Sequence, residues 1–175
     1  MSVKPAVGFI GIGAMGEPMA LNLIKAGYQL TVYARRAEAA AALVKAGAAL
    51  AATPAAVARA SDIVVTMVTT AADCEQVTLG AQGIIEGAAA GAVVIDMATI
   101  SPLAARRIAE ALATRGIEHI DAPVSGGPMG ARDGTLSIMA GGADAVSVFE
   151  AKAKALQTEA AAHRELSTSL AHDEA

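Results

Sequence analysis

The chain has 175 residues, of which 54% are hydrophobic and only 2% aromatic, and its formal net charge is −4. This length suits one domain with a substantial core and leaves no room for a second full domain. The acidic balance, with no Lys/Arg run longer than two residues, argues against a nucleic-acid partner, and no apolar run reaches the ~18 residues of a membrane span.

Short apolar runs alternate with longer alanine-rich segments, which is the pattern of βαβ units on a parallel sheet. Helices are predicted at about residues 15–26, 36–46, 54–61 and 102–115, the last two opened by Thr53-Pro54 and Ser101-Pro102. Six strands are predicted, at residues 7–10, 29–33, 63–68, 92–97, 117–122 and 135–140. The sequence therefore predicts an α/β fold with a doubly wound, mostly parallel sheet.

The N-terminal end of the chain carries no targeting pattern, and the C-terminal end carries no strand pattern. The first residues lead almost directly into a strand, without a basic segment, apolar core or cleavage site, so we expect a cytoplasmic protein. We expect the folded domain to occupy residues 1–149. Residues 150–175 are expected to form the end of a helix, at about 145–157, and then a mobile tail.

Gly11-Ile12-Gly13-Ala14-Met15-Gly16 follows the first strand and opens the first helix. In this context the first glycine permits a tight turn, the second lets a pyrophosphate approach the backbone, and the third lets the helix pack closely on the strand. The free N–H groups of the helix N-terminus then face the anion. The six residues predict a dinucleotide site, against the alternative of a glycine turn that only packs a helix.

Arg35 and Arg36 stand at the end of the second strand, where an acidic residue would hold a ribose 2′-hydroxyl. Two guanidinium groups there would complement a 2′-phosphate, which favours NADP over NAD. The alternative is that one or both arginines only solvate the start of a helix. Glu38, the nearest acid, lies too far into that helix to be the usual ribose partner.

Further candidates follow the later strands. Val68-Thr69 and Thr99 lie at carboxyl ends of strands, where an open parallel sheet places its ligand crevice. Asp96 and Asp121, also at strand ends, are interpreted as loop-organising carboxylates. Ser125-Gly126-Gly127 could bind a carboxylate or carbonyl oxygen through its hydroxyl and backbone N–H groups.

The remaining polar residues predict neither a metal site nor a nucleophile. His119 lies within a strand and the other two histidines lie in the tail, so no pair has metal-binding spacing. Cys74 is the single cysteine, which excludes an internal disulfide and suits a reducing compartment. With no nearby group to lower its pKa, it is interpreted as a helix packing residue.

Three segments, GFIGIGAMGEPMALNLIKAGYQLTVYARR, DMATISP and DAPVSGGPMGARDGTLSIMAGG, resemble the β-hydroxyacid dehydrogenases, across about residues 6–149. The resemblance implies a Rossmann domain that binds NAD(P), joined to an all-helical domain, and hydride transfer between a 3-hydroxy acid and its semialdehyde. It also implies that Gly11, Gly13 and Gly16 hold the pyrophosphate and Arg35 lies at the adenosine ribose. By the same resemblance, Val68-Thr69 and Thr99 line the nicotinamide side and Ser125-Gly126-Gly127 contact the substrate carboxylate.

The sequence departs from this family in three places. Val68-Thr69 replaces a Leu-Pro pair and Ala98 replaces a serine, and both changes are mild. The family's general acid is a lysine in a G-x-G-x-x-x-K-x-x-N segment, which this chain lacks; Lys152 and Lys154 do not have its flanking residues. We therefore expect a truncated or frame-disrupted enzyme that binds the cofactor but has no catalytic lysine and turns over poorly.

Two other functional hypotheses remain open at this point. The chain could be a stand-alone dinucleotide-binding module that regulates a partner without chemistry, or a non-functional fragment. The resemblance also implies that full-length relatives form oligomers through the helical domain. Its absence should expose an apolar face near residues 138–149, through which the chain would self-associate.

Overall fold

The computed structural model describes residues 4–141. Six parallel strands form the main sheet: β1 (Val7–Ile10), β2 (Leu30–Tyr33), β3 (Ala49–Leu50), β4 (Ile63–Thr66), β5 (Val93–Asp96) and β6 (Glu118–Asp121). Their order across the sheet is β3-β2-β1-β4-β5-β6. Because the chain reverses its direction of travel between β1 and β4, this is the doubly wound Rossmann arrangement that the sequence predicts.

Seven α-helices connect the strands in the described part of the chain: α1 (Gly16–Lys25), α2 (Ala41–Lys45), α3 (Pro54–Arg59), α4 (Ala71–Leu79), α5 (Ile84–Gly87), α6 (Pro102–Ala113) and α7 (Gly127–Asp133). A 3₁₀ turn (Ala37–Ala40) precedes α2. Thr53 and Ser101 accept hydrogen bonds from the backbone N–H groups three residues onward, at 3.1 and 3.3 Å. Both capping predictions are therefore confirmed.

The core lies on both faces of the sheet. Alternate strand residues point to opposite faces, so Phe9 and Val65 pack with α1 and α2 while Ile10 and Val64 pack with α3 and α6. Both layers are built almost entirely from aliphatic side chains and alanine. Because both faces are buried, the central strands are mostly apolar, as expected for a parallel sheet. The exceptions are Thr66 and Asp96, the buried last residues of β4 and β5.

Residues 135–140 do not join the parallel sheet, and this prediction was wrong. Their extended part is only β8 (Ser137–Ile138), which pairs antiparallel with β7 (Val124–Ser125). α7 lies between β7 and β8, and the chain that returns after it runs in the direction opposite to β6, so that Gly141 pairs antiparallel with Asp121. The six-stranded sheet instead includes β3, an exposed strand of two residues that was not predicted.

Several predictions lie outside the described residues. They are the helix at about 145–157, the tail, Lys152 and Lys154, and the apolar face beyond residue 141. At the described edge of that face Met139 is 55% exposed. Within residues 4–141 no helix has the length and apolar character needed to cross a membrane.

Candidate dinucleotide site

The three glycines between β1 and α1 stand in different surroundings. Gly11 has a φ of +103°, and a Cβ atom there would overlap the carbonyl group of Met67, in the segment after β4. A Cβ atom on Gly16 would overlap the carbonyl oxygen of Gly11. At Gly13, by contrast, no atom of residues 4–141 beyond its chain neighbours lies within 4 Å of an added Cβ. Two glycines thus permit close backbone packing, and the one between them leaves its surface open.

A cleft of about 390 Å³ opens at the carboxyl edge of the sheet, at the switch point between β1 and β4. Seven of the predicted site residues line it together: Gly11, Ile12, Gly13, Arg35, Arg36, Val68 and Thr69. The cleft lining does not include Ala14, Met15, Gly16, Thr99, Ser125, Gly126 or Gly127. The structure therefore brings together seven predicted cofactor residues from three separate loops. It leaves the other four predicted cofactor residues and all three predicted substrate residues outside this cleft.

One end of the cleft carries positive charge. Arg35 and Arg36 are both exposed and line the cleft directly after β2. Neither guanidinium group has an ion pair within residues 4–141. Glu38 lies in the following 3₁₀ turn and does not line the cleft. Both arginines are thus available to an anion at this end.

The cleft also has polar lining residues that were not predicted: Thr53, Asp73, Gln76 and Gln82. Gln82 has a φ of +58°, the one positive φ of a non-glycine residue in the described chain. Its carbonyl oxygen accepts a hydrogen bond from the backbone N–H of Ala55 at 2.8 Å, which attaches this loop to the start of α3. The sequence predicted Thr53 only as a helix cap. It gave no pattern for the other three, because α4 and α5, which contain or flank them, have no distinct apolar periodicity.

Asp96 organises the segment that leads to Thr99. Its carboxylate is 2% exposed and accepts hydrogen bonds from the Thr66 hydroxyl at 2.9 Å and the Ala98 backbone N–H at 3.1 Å. The Cys74 thiol donates to the same oxygen at 3.7 Å. Asp96 is therefore a structural acceptor between β4, β5 and α4, as its position at a strand end indicates.

Cys74 is buried in α4 and is not an activated thiol. Burial raises its pKa far above the ordinary range, and the neighbouring carboxylate of Asp96 raises it further. Since the thiolate is the nucleophile and metal ligand, this cysteine is inert in the fold. Among residues 4–141 no group of three or more His, Cys, Asp or Glu side chains is placed to hold a metal ion.

His119 and Asp121 are two half-buried polar residues on β6. Burial raises the pKa of Asp121, and repulsion by Asp96, its register neighbour on β5, adds to that effect. Burial lowers the pKa of His119, although Asp96 opposes the change. The Oδ1 atom of Asp121 and the Nε2 atom of His119 have no hydrogen-bond partner within the described residues.

Asp121→Asn is expected to stabilise the chain near pH 7. Because the folded pKa of Asp121 lies above its ordinary value, the stability contributed by its protonated form is present at low pH and lost as the pH rises through the folded pKa. The amide cannot ionise, so the variant should melt about 1–3 °C higher at pH 7, a gain that shrinks as the pH falls toward 4. Calorimetry across this pH range measures it.

Glu118→Gln is the matched control for this variant. It removes the same charge from an exposed position on the same strand, so it should change the melting temperature little at any pH. A gain for Asp121→Asn that is the same at pH 4 and pH 7 would contradict the assignment to the ionised carboxylate.

The predicted substrate segment forms a tight turn between β7 and α7. Ser125, Gly126 and Gly127 are exposed, and the two glycines have φ values of +130° and +60°. A Cβ atom on Gly126 would lie 3.1 Å from Leu136 in the returning strand segment. The turn therefore needs glycine both for its backbone conformation and, at Gly126, for contact with its own hairpin.

A doubly wound parallel sheet with a glycine turn and an open cleft at its switch point defines a dinucleotide-binding domain. The family model described as the NAD binding domain of 6-phosphogluconate dehydrogenase matches residues 6–167. The chain belongs to this family.

The relatives connect the chain to hydroxyacid oxidoreductases. The 2-hydroxy-3-oxopropionate reductase of Escherichia coli is 44% identical over 140 residues, which cover 80% of this chain and 48% of the relative. A Mycobacterium tuberculosis 3-hydroxyisobutyrate dehydrogenase structure with L-serine superposes with a TM-score of 0.78 at 28% identity, covering 88% of this chain and 52% of that one. A structure of Psf3 in complex with NADP⁺ and 2-OPP superposes with a TM-score of 0.80 at 28% sequence identity. The match covers 86% of this chain and 54% of that one.

These comparisons confirm the resemblance to the β-hydroxyacid dehydrogenases. The chain is an NAD(P)-binding domain of the type found in 3-hydroxyisobutyrate dehydrogenase-like oxidoreductases. It spans about half the length of the curated relatives that it matches.

Proposed function

We propose that the cleft binds NADPH, with the pyrophosphate against Gly13. Gly13 carries this proposal, because its surface is open while Gly11 and Gly16 on either side are closed by backbone contacts. The cleft geometry therefore fits a dinucleotide backbone, and Ile12, Ala14 and Met15 complete the turn that leads into α1.

The 2′-phosphate of the adenosine ribose would lie against Arg35 and Arg36. Both guanidinium groups line the same end of the cleft, and each offers a planar set of donors suited to a phosphate. No carboxylate takes the usual ribose position at the end of β2. These features favour NADP over NAD.

The nicotinamide end would lie near Val68, Thr69 and Thr99, in the loops after β4 and β5. Ser125, Gly126 and Gly127 would contact the carboxylate of a small 3-hydroxy acid or semialdehyde. When bound, the cofactor supplies or accepts the hydride in such a reaction. The residues of this chain would bind and orient the two reactants, which is the proposed contribution of this domain to a 3-hydroxyacid dehydrogenase or semialdehyde reductase.

The 175-residue chain by itself is proposed to bind the cofactor with little turnover. Hydride delivery to a carbonyl leaves a developing alkoxide, and a positioned acid typically accelerates that step by about 10²- to 10⁴-fold. Within the described residues no lysine lines the cleft, and His119 lies half-buried in β6, outside the cleft lining. Self-association through the apolar face near residues 138–149 remains a prediction of the same proposal.

Arg35→Ala is expected to weaken NADPH binding by about tenfold or more and to leave NADH binding nearly unchanged. A charge-assisted hydrogen bond to the phosphate contributes about 1.5–3 kcal/mol, and NADH has no such phosphate. Titration followed by nicotinamide fluorescence measures both affinities. Arg36→Ala tests the second arginine in the same way.

Arg59→Ala is the control, since it removes an exposed arginine at the end of α3 that does not line the cleft. Equal losses of NADPH and NADH affinity in Arg35→Ala would contradict a 2′-phosphate role. Absence of NADPH binding to the unaltered chain would refute the proposed site itself.

A reductase assay separates the proposed function from a regulatory module. Tartronate or succinic semialdehyde is supplied with NADPH at high protein concentration. Slow turnover above the rate without protein supports an oxidoreductase domain, whereas saturable NADPH binding with no turnover supports a binding module. Ordinary turnover would contradict the proposed lack of a positioned acid.

A further inference from the structure

Asn22 lies on α1, the helix that starts at the glycine turn of the proposed cofactor site. Its amide nitrogen Nδ2 donates hydrogen bonds to the carbonyl oxygens of Ala131 at 2.8 Å and Arg132 at 3.2 Å. Both acceptors belong to the last turn of α7, more than 100 residues further along the chain. One side chain thus joins the cofactor helix to the helix of the predicted substrate segment.

The two acceptors need a partner from outside their own helix. Gly134 caps the C-terminal end of α7 in the left-handed conformation. The Thr135 N–H donates a hydrogen bond to the carbonyl oxygen of Gly130 at 2.9 Å. This geometry closes the end of the helix without engaging the carbonyls of Ala131 and Arg132. Asn22 supplies these hydrogen bonds from α1.

The contact also determines where the start of α7 lies. α7 has seven residues, so its two ends are about 10 Å apart along a rigid rod. Its first residue is Gly127, directly after Ser125 and Gly126. A restraint on the carbonyl end of α7 therefore restrains the Ser125–Gly127 turn as well.

We propose that Asn22 is a positioning residue that couples NADPH binding to the order of the Ser125–Gly127 turn. NADPH would hold the N-terminal end of α1, and the two amide hydrogen bonds would transmit that restraint to α7. The turn that contacts the substrate carboxylate would then become ordered once the cofactor is bound. This inference rests on the proposed cofactor site.

Hydrogen–deuterium exchange of the 175-residue chain, with and without saturating NADPH, tests the coupling. In the unaltered chain NADPH should slow exchange at residues 11–16 and, by about fivefold or more, at residues 125–136. Asn22→Leu and Asn22→Asp are close in size to asparagine but cannot donate to the two carbonyls. In both, the slowing at 11–16 should persist, with NADPH affinity within about threefold, while the slowing at 125–136 disappears.

Two further variants complete the test. Lys25→Gln lies exposed on the last turn of α1 and should keep both effects. Gly134→Ala places a side chain at a φ of +66°, so it should loosen the end of α7 and reduce the coupling without altering α1. It serves as the second test if either Asn22 variant fails to fold.

The possible outcomes separate the two proposals. Loss of slowing only at residues 125–136 in the Asn22 variants supports the inference. Slowing at 125–136 that persists in Asn22→Leu, or that is absent from the unaltered chain while 11–16 is protected, overturns the inference and leaves the cofactor site standing. Absence of NADPH protection at both segments overturns the cofactor site and the inference with it.

Discussion

Gly13→Val is expected to leave the melting temperature of the cofactor-free chain nearly unchanged and to weaken NADPH binding by about 100-fold or more. Gly13 is exposed, has no positive φ, and has no described atom within 4 Å of an added Cβ. The valine side chain would instead occupy the space through which the pyrophosphate approaches the backbone. Calorimetry of the free chain and titration with NADPH measure the two effects separately.

Gly16→Ala is the opposite case and serves as the comparison. Its new Cβ would overlap the backbone carbonyl of Gly11, so α1 must move away from β1. We expect a loss of about 2–3 kcal/mol in the free energy of unfolding before any ligand is added. If Gly13→Val destabilised the free chain as much as Gly16→Ala, the distinction between an open and a closed glycine would be wrong.

The central strands could be predicted because their residues face packed helices on both sides. Val7–Ile10, Ile63–Thr66 and Val93–Asp96 are buried at every position. Each therefore reads as a short apolar run, which in β4 and β5 ends with one polar residue. β3 gave no such signal, because Ala49–Leu50 is exposed and only two residues long. Its place is fixed by hydrogen bonds to β2, which no local pattern records.

The segment after β6 was misread for a related reason. Thr135 to Ala140 has the composition of a strand, but that pattern does not record which strand it pairs with or in which direction it runs. The segment before it contains α7, which does not look helical because its seven residues include Gly127, Pro128 and Gly130 and its cap is Gly134. Asn22, which is distant in sequence, and Leu136, just beyond the helix, complete its packing.

The glycine turn and the two arginines could be predicted because they depend on local properties. The turn depends on the backbone freedom of its glycines, and the arginines depend on their own charge. Gln82 and Thr53 could not, since they reach the cleft only after α4 and α3 are in place. The partners of Asp96 were also invisible in the sequence, as Thr66 and Cys74 lie 30 and 22 residues before it. Contacts of this kind depend on the register between strands.

That register aligns three polar residues beneath the candidate site. Thr66, Asp96 and Asp121 are the last residues of β4, β5 and β6, and they are direct neighbours across the sheet. Each precedes a loop with candidate site residues, at Val68-Thr69, at Thr99 and at Ser125. The three loops therefore begin from one polar row, in which Thr66 and Asp96 are buried and Asp96 is the central acceptor.

Asp96→Asn is expected to reduce the free energy of unfolding by about 3 kcal/mol, because the buried carboxylate accepts from three donors and an amide oxygen cannot replace it fully. It should also weaken NADPH binding through the Thr99 segment, since the Ala98 N–H loses its charged acceptor. Denaturant unfolding and NADPH titration measure the two effects.

Thr66→Val and Asp62→Asn make this prediction specific. Thr66→Val keeps the shape but removes one donor and should cost about 1–2 kcal/mol; combined with Asp96→Asn it should cost less than the sum, because both changes remove the same hydrogen bond. Asp62 also accepts a backbone N–H, from Ala6 at 2.8 Å, but at an exposed position, so Asp62→Asn should cost well under 1 kcal/mol. Two results would show that the polar row does not hold the three loops together. One is that the losses in the free energy of unfolding for Thr66→Val and Asp96→Asn are fully additive in the double variant. The other is that Asp62→Asn and Asp96→Asn lose the same free energy of unfolding.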